Sequence, residues 1–221
     1  MKAIYNFMIA IMIGGTLLSC EKNEEDLITT QSIEIDIDSD GGEYTFASNT
    51  VDILVAPDEF YAEVVNNTIV GKYAGTTYAT IQSGNTKYEC KINVSASYSY
   101  YIDMAIYLGW SKSDVEKLYG TYISTNKDTY YYNPLSSYLA ESKVAFTYDD
   151  YDKVIACASY FTLYQMTYVI KHLQQRYATY GISNSVAYYG NAFEMDDASM
   201  IVMCGIEDAY VVYADTSIIN N

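Results

Sequence analysis

The stretch Ile33-Glu34-Ile35-Asp36-Ile37-Asp38-Ser39-Asp40-Gly41-Gly42-Glu43-Tyr44-Thr45-Phe46 decides the fold of the first half of the chain. Its isoleucines alternate with carboxylates, the period of a strand that buries one face and wets the other. Ser39 to Gly42 reads as a turn, and Tyr44-Thr45-Phe46 starts a return strand. The same rhythm comes back downstream, where Tyr88, Cys90, Ile92 and Val94 alternate with Glu89, Lys91 and Asn93. Short strands divided by turn signals predict a small β-sandwich over residues 28–96.

From Tyr98 the rhythm changes. Ser111-Lys112-Ser113-Asp114 has the form of a capping box, which starts a helix by satisfying free backbone donors. Trp110 before the cap and Val115 inside the helix form a hydrophobic staple, and Gly120 ends the helix. Strands are expected at 129–132, 143–148 and 153–161. A longer helix is expected from Leu163 to Thr179, with Met166, Val169, Ile170, Leu173 and Tyr177 on one stripe and Gly181 as its stop. Three more strands follow at 185–189, 199–204 and 209–214. Residues 98–221 therefore read as an α+β domain, with two helices on a mostly antiparallel sheet.

Before both domains stands a segment of another kind. Lys2 gives a positive start, Ala3 to Leu18 carry no charge, and Glu21-Lys22-Asn23-Glu24-Glu25-Asp26 follow Cys20. This is the pattern of a secretory signal, and its apolar run is shorter than the roughly 20 residues a membrane-spanning helix needs. The junction Leu17-Leu18-Ser19-Cys20 resembles the lipobox of bacterial lipoproteins. That resemblance implies removal of residues 1–19 and a lipid on Cys20, leaving residues 20–27 as an acidic tether to the membrane. The acidic run is similar to the export signal of Bacteroidetes-type lipoproteins, which implies an outer-membrane protein exposed at the cell surface. A solvated linker also accounts for such a run.

Loss of the leader removes Lys2 and takes the formal net charge from −16 to −17, with 11 basic side chains against 28 acidic ones. The remaining Lys and Arg are scattered singly, so nucleic acid, which needs a basic patch, is excluded as a partner. Cys90, Cys157 and Cys204 each lie in an apolar run and read as core residues. A disulfide between two of them stays open. The 27 tyrosines against one tryptophan and six phenylalanines are the unusual feature of the composition. Clusters at Tyr98, Tyr100, Tyr101 and at Tyr130, Tyr131, Tyr132 read either as a carbohydrate- or protein-binding face or, more simply, as strand propensity with amphipathic packing.

Tests for chemistry return no catalytic and no metal set, and no cofactor is called for. His172, the one histidine, falls away from the apolar stripe of its predicted helix and reads as solvated. Asp36-x-Asp38-x-Asp40-Gly41 copies the opening of a calcium loop, but Ala47 stands where the bidentate Glu belongs. Ser124-x-x-Lys127 has the spacing of a serine–lysine pair without its companion motifs. No carboxylate pair stands out for a glycosidase.

The residues Ile69-Val70-Gly71, Ala74-Gly75-Thr76-Thr77, Ala79-Thr80-Ile81 and Tyr88 to Val94 resemble the bacterial immunoglobulin-like domain of group 2, which implies an immunoglobulin-like sandwich serving as spacer or adhesive unit. The run from Gly109 to Gly120, with Val144 to Tyr148 and Lys153-Val154-Ile155, is similar to SmpA/OmlA-type envelope lipoproteins and to β-lactamase-inhibitor-like domains. The joint arrangement resembles uncharacterised Bacteroidetes lipoproteins. The expected function is a non-enzymatic surface lipoprotein that binds a glycan or a protein; an envelope-assembly or inhibitor-type lipoprotein is the alternative, and a small hydrolase the third.

Overall fold

The computed structural model describes residues 28–135 and 140–219. Cys20, the leader and the acidic tether lie outside the described residues. The chain adopts a β-rich α+β fold whose buried residues form two hydrophobic clusters.

The first cluster belongs to seven strands: β1 (Thr29–Asp38), β2 (Glu43–Thr45), β3 (Asp52–Val55), β4 (Ala62–Val65), β5 (Thr68–Gly71), β6 (Gly75–Ser83) and β7 (Thr86–Ser95). They form two sheets, of order β1-β7-β6-β3 and β2-β5-β4. The alternation in β1 buries Ile35 and Ile37 and leaves Glu34, Asp36 and Asp38 outward or partly so. Inward residues of both sheets, among them Ile37, Ile69, Ile81 and Ile92, share one core. The expected return strand does not fold back on β1. β1 pairs in parallel with β7 from Thr29↔Thr86 to Asp38↔Ser95, while β2 crosses over and pairs antiparallel with β5. The turn between them causes this: Gly42 donates its N–H to Asp38 O at 2.9 Å, and a Cβ on Gly42 would overlap the Asp38 backbone. The chain closes sharply enough there to leave the first sheet.

The second cluster lies under one eight-stranded antiparallel sheet. Its members are β8 (Ser124–Asn126), β9 (Thr129–Tyr132), β10 (Lys143–Tyr148), β11 (Val154–Tyr160), β12 (Ala178–Ser183), β13 (Val186–Gly190), β14 (Met200–Gly205) and β15 (Tyr210–Asp215), in the order β12-β13-β14-β15-β11-β10-β9-β8. Helix α1 (Lys112–Tyr119) starts as expected, with the Ser111 side chain accepting the Asp114 N–H and Gly120 closing the end at φ 79°. A 3-10 turn at Met104–Tyr107, α1 and α2 (Met166–Gln174) send Met104, Val115, Met166, Val169 and Leu173 into the same cluster. A four-residue helix, α3 (Thr216–Ile219), follows the last strand.

Two expectations for this half are corrected. The long helix over 163–179 is a 3-10 turn at Leu163–Gln165 followed by α2, which ends at Gln174. Tyr177 stays on the buried side. From Ala178 the β-favouring run Ala178-Thr179-Tyr180 instead joins the edge of the sheet, where β13 satisfies its backbone. Gly181 caps no helix; it stands in β12 at φ 141°, beside a bulge. His172 is not solvated but fully buried. Its ring stacks on Tyr101 at 4.1 Å and its Nδ1 accepts the Tyr100 N–H at 3.1 Å. A single helical wheel missed this because the segment around Tyr98–Tyr101, remote in sequence, covers the helix on that side.

Candidate ligand-binding face

Strand periodicity gives the eight-stranded sheet two unlike faces. One carries Tyr132, Phe146, Cys157, Val211, Tyr213, Cys204 and Tyr189, all buried in the second cluster with α1 and α2. The residues alternating with them point the other way. The pairing register sets these in rows across the sheet: Lys143↔Tyr160↔Tyr210↔Gly205, then Tyr131↔Ala145↔Ala158↔Val212↔Met203↔Tyr188, then Thr147↔Ala156↔Ala214↔Ile201↔Gly190. In the middle row Tyr131 and Tyr188 stand at the two ends, with the buried Ala145 and Ala158 next to Tyr131. Tyr131, Lys143, Tyr160, Tyr188, Met203, Tyr210 and Val212 are each half-buried.

The rings of this face are connected. Tyr131 and Tyr160 have centroids 6.3 Å apart, and Tyr160 and Tyr210 are 6.5 Å apart. Lys143 sits between the first two, its Nζ 4.6 Å from the Tyr131 centroid and 4.3 Å from that of Tyr160. Such an ammonium is held by the ring quadrupoles and keeps its charge at the surface. Burial, with Tyr131 and Tyr210 alongside, pushes the Tyr160 phenol up to about 12, so it remains a hydrogen-bond donor at neutral pH. Gly205 explains how Tyr210 lies flat across the sheet: a Cβ there would overlap the ring. Gly190 is covered by Tyr180 in the same way, and the Tyr180 hydroxyl donates to Ala192 O at 2.8 Å.

Toward β13 and β14 the face deepens into a groove of about 450 Å³. Tyr188, Met195, Ala198, Ile201 and Met203 line it, with Asp196 and Thr216 as its polar members. Methionine adapts its shape to what it meets. Row and groove together form a surface that is apolar in body and offers phenol hydroxyls, an ammonium and a carboxylate, the mixture on which a sugar ring or an amphipathic protein surface rests.

The tyrosine clusters singled out in the sequence are divided by the fold. Tyr101 and Tyr132 are buried, and only Tyr131 of its cluster joins the outward row. Tyr98 and Tyr100 stack with Tyr168 beside α2, with Lys171 Nζ 4.8 Å from the Tyr98 centroid. Tyr160, Tyr210 and Lys143 escaped sequence reading, because nothing local marks residues that meet only through strand pairing. Trp110 packs edge-on against Tyr107 at 5.1 Å and keeps about a third of its surface, 37%, exposed.

The remaining candidates are dispersed. Asp36 and Asp38 lie in β1, Asp36 accepts from Asn93 at 2.9 Å, and Asp40 bonds Ser97 and Gln175. Among the described residues no group of three or more His, Cys, Asp or Glu is placed to hold a metal. Ser124 and Lys127 belong to the β8–β9 hairpin, with Lys127 at φ 51°. Cys90, Cys157 and Cys204 are buried free thiols, so the disulfide left open above is absent among them. Burial pushes Cys90 up to about 11 and Cys204 to about 12, which makes them poor nucleophiles.

No protein-family profile matches the chain, and no curated protein does. Among solved structures it has a likeness to the C-terminal domain of TagH, with 10% identity and a TM-score of 0.30 over 78% of this chain and 99% of that one. It has another to domains 5-6 of the S-layer protein SbsC, with 15% identity and a TM-score of 0.22 over 82% and 79%. Scores this low settle neither fold nor function.

Proposed function

We propose that this chain is a non-enzymatic binding protein of the bacterial cell surface, tethered through a lipid on Cys20, that holds a glycan or a protein against the outward face of its eight-stranded sheet. The observation that carries the reading is the half-exposed row Tyr131–Lys143–Tyr160–Tyr210, continuous through the register with the Tyr188–Met203 groove. A solvated sheet face has no need of connected rings and a methionine-lined groove; a face that meets a partner does. The leader and the Leu17-Leu18-Ser19-Cys20 junction support the tether.

The first unit is read as an immunoglobulin-like stalk. Supporting this, its seven strands divide into sets of three and four, in the orders β2-β5-β4 and β7-β6-β3, with β1 added beside β7. These match the B-E-D and G-F-C sets of an immunoglobulin sandwich.

The test joins location to surface. Cys20→Ser moves the protein out of the membrane fraction, while protease treatment of intact cells removes the unaltered protein. On arrays of glycans and envelope proteins, purified protein gives a signal that the pair Tyr160→Ser and Tyr210→Ser lowers at least tenfold. Tyr151→Ser, at a side chain 85% exposed elsewhere, leaves the signal unchanged. A signal indifferent to Tyr160 and Tyr210 removes the sheet face from the proposal, and copurification with an outer-membrane assembly machine replaces the adhesive reading.

A further inference from the structure

On the other side of the sheet from the aromatic row, a cleft of about 600 Å³ opens between the two units. Its volume lies within the range of small-molecule sites, and the junction of two domains is where such sites concentrate. The first unit supplies Phe60 and Tyr61 as one wall, and the second supplies Ile106, Leu108 and Met200. Asp103, Arg176, Tyr177 and Asp215 are polar members of the lining.

A census of hydrogens shows what this lining lacks. The Tyr177 hydroxyl is spent on Asp103 Oδ2 at 2.6 Å. The Arg176 Nη1 hydrogens go to the carbonyls of Tyr98 and His172, at 3.0 and 2.9 Å, and Nη2 donates to Ser99 Oγ at 3.3 Å. Its Nε stands 3.8 Å from Asp103 Oδ2, near enough for attraction and too far for a hydrogen bond. Asn191, also on the lining, gives one amide hydrogen to Ser199. One hydrogen each on Arg176 Nη2 and the Asn191 amide is left over, and Asn191 Oδ1 accepts the Ser199 and Met200 N–H groups, so the spare acceptor capacity of the lining lies on its carboxylates. Asp103 accepts from Tyr177 and from the Ala105 N–H at 3.1 Å. That uses two of the roughly four lone-pair sites of a carboxylate. Asp215 adds a second carboxylate against the single guanidinium, its Oδ1 accepting the Ser217 N–H at 2.8 Å.

We propose that this cleft binds a small primary amine, its ammonium on Asp103 and its hydrocarbon body against Tyr61, Ile106 and Leu108. An ammonium brings three donors and a full charge to a lining whose spare acceptors are carboxylates; an alcohol brings one donor and no charge, and a carboxylate is repelled. The carboxyl of Asp103 is itself pushed up by burial, against the pull of Tyr177, Ala105 and Arg176, so an incoming cation relieves a desolvated charge. A net charge of −16 on the chain draws cations toward it. The site is independent of the sheet face and stands or falls separately.

Calorimetric titration of the full chain in detergent, corrected for blank micelles, tests this with benzylamine and its neutral counterpart benzyl alcohol. Benzylamine saturates one site per chain, and benzyl alcohol binds at least tenfold more weakly. Asp103→Asn weakens benzylamine at least tenfold. Ala74→Phe fills the cleft from the first unit, leaves Asp103 in place, and abolishes uptake. Absence of saturable benzylamine binding at millimolar concentration overturns the proposal, as does equal affinity for the alcohol. So does full affinity in the Ala74→Phe variant, which decides the matter if Asp103→Asn fails to fold.

Discussion

Gln175 Nε2 donates to Asp40 Oδ2 at 2.8 Å across 135 residues of sequence, and this contact joins the two units. The same amide nitrogen gives its other hydrogen to Ser97 Oγ at 2.8 Å, and Oε1 accepts the Tyr98 N–H at 2.8 Å. The Gln175 carbonyl accepts the Ala74 N–H of the first unit at 2.9 Å. Gln175 is buried, and Phe193 of the second unit packs on Phe60 of the first at 5.5 Å and lies under Lys72. Gln175→Ala leaves the part-buried Tyr98 N–H without its acceptor, while Asp40 is exposed and keeps Ser97, so the cost is about 1 kcal/mol. Chemical denaturation reads that loss. Hydrogen exchange adds the location, with faster exchange expected at Ala74 and Tyr98 and no change at the β10–β11 pairing, remote from the joint.

Gly205 and Tyr210 make a second prediction, because the glycine is required by what lies over it. A Cβ at position 205 would meet the Tyr210 ring, so Gly205→Ala forces the ring to move or the strands to part. Overpacking of this kind costs about 1–3 kcal/mol. Combined with Tyr210→Ser the penalty disappears, since the obstructing ring is gone. Urea midpoints for the two single variants and the double variant give the coupling directly. Additive losses would show that Gly205 is needed for some reason other than the ring.

What the sequence let one read follows from where the signals were local. The alternation Ile33-Glu34-Ile35-Asp36-Ile37-Asp38 buried Ile35 and Ile37, and the Ser111 cap with Gly120 bounded α1, because strand faces and helix ends are written in neighbouring residues. β10, β11, β13, β14 and β15 likewise fall where apolar runs placed them. The end of α2 was misread because Tyr177 continues the helical stripe while Ala178-Thr179-Tyr180 suits a strand. Only the free edge of β13 decides between them. The parallel pairing of β1 with β7 was hidden for the same reason, as was the row joining Tyr131, Tyr160 and Tyr210: strand pairing brings together residues with no local sign of one another. The cleft combines both causes, since Asp103 and Tyr61 belong to different units.

His172 supplies the last prediction, through the acid side of the stability curve. Its Nδ1 accepts the Tyr100 N–H, so the neutral ring carries its proton on Nε2, which lies 4.0 Å from Asp103 Oδ2 and has no hydrogen-bond partner. Burial, with the Arg176 guanidinium adding to it, lowers the imidazole to about 3, against 6.5 for a free histidine. The unfolded chain therefore takes up a proton below about pH 6.5 that the folded chain refuses until about pH 3. Folding stability from this group is complete above pH 6.5 and falls as pH drops, by about 1.4 kcal/mol per pH unit inside that window. Asp103 and Glu141 run the other way: burial raises both carboxyls, so each favours the folded state at low pH and loses that contribution as pH rises through its folded value. A difference experiment separates the contributions. His172→Phe preserves a ring against Tyr101 and removes the titration, so the gap in urea stability between the unaltered protein and the variant changes steadily from pH 7 to pH 5, to the detriment of the unaltered protein. A gap that stays constant over those two pH units would mean that His172 takes up its proton as readily in the folded chain as in the unfolded one, and a gap that moves in favour of the unaltered protein would mean that it is protonated and paired with Asp103.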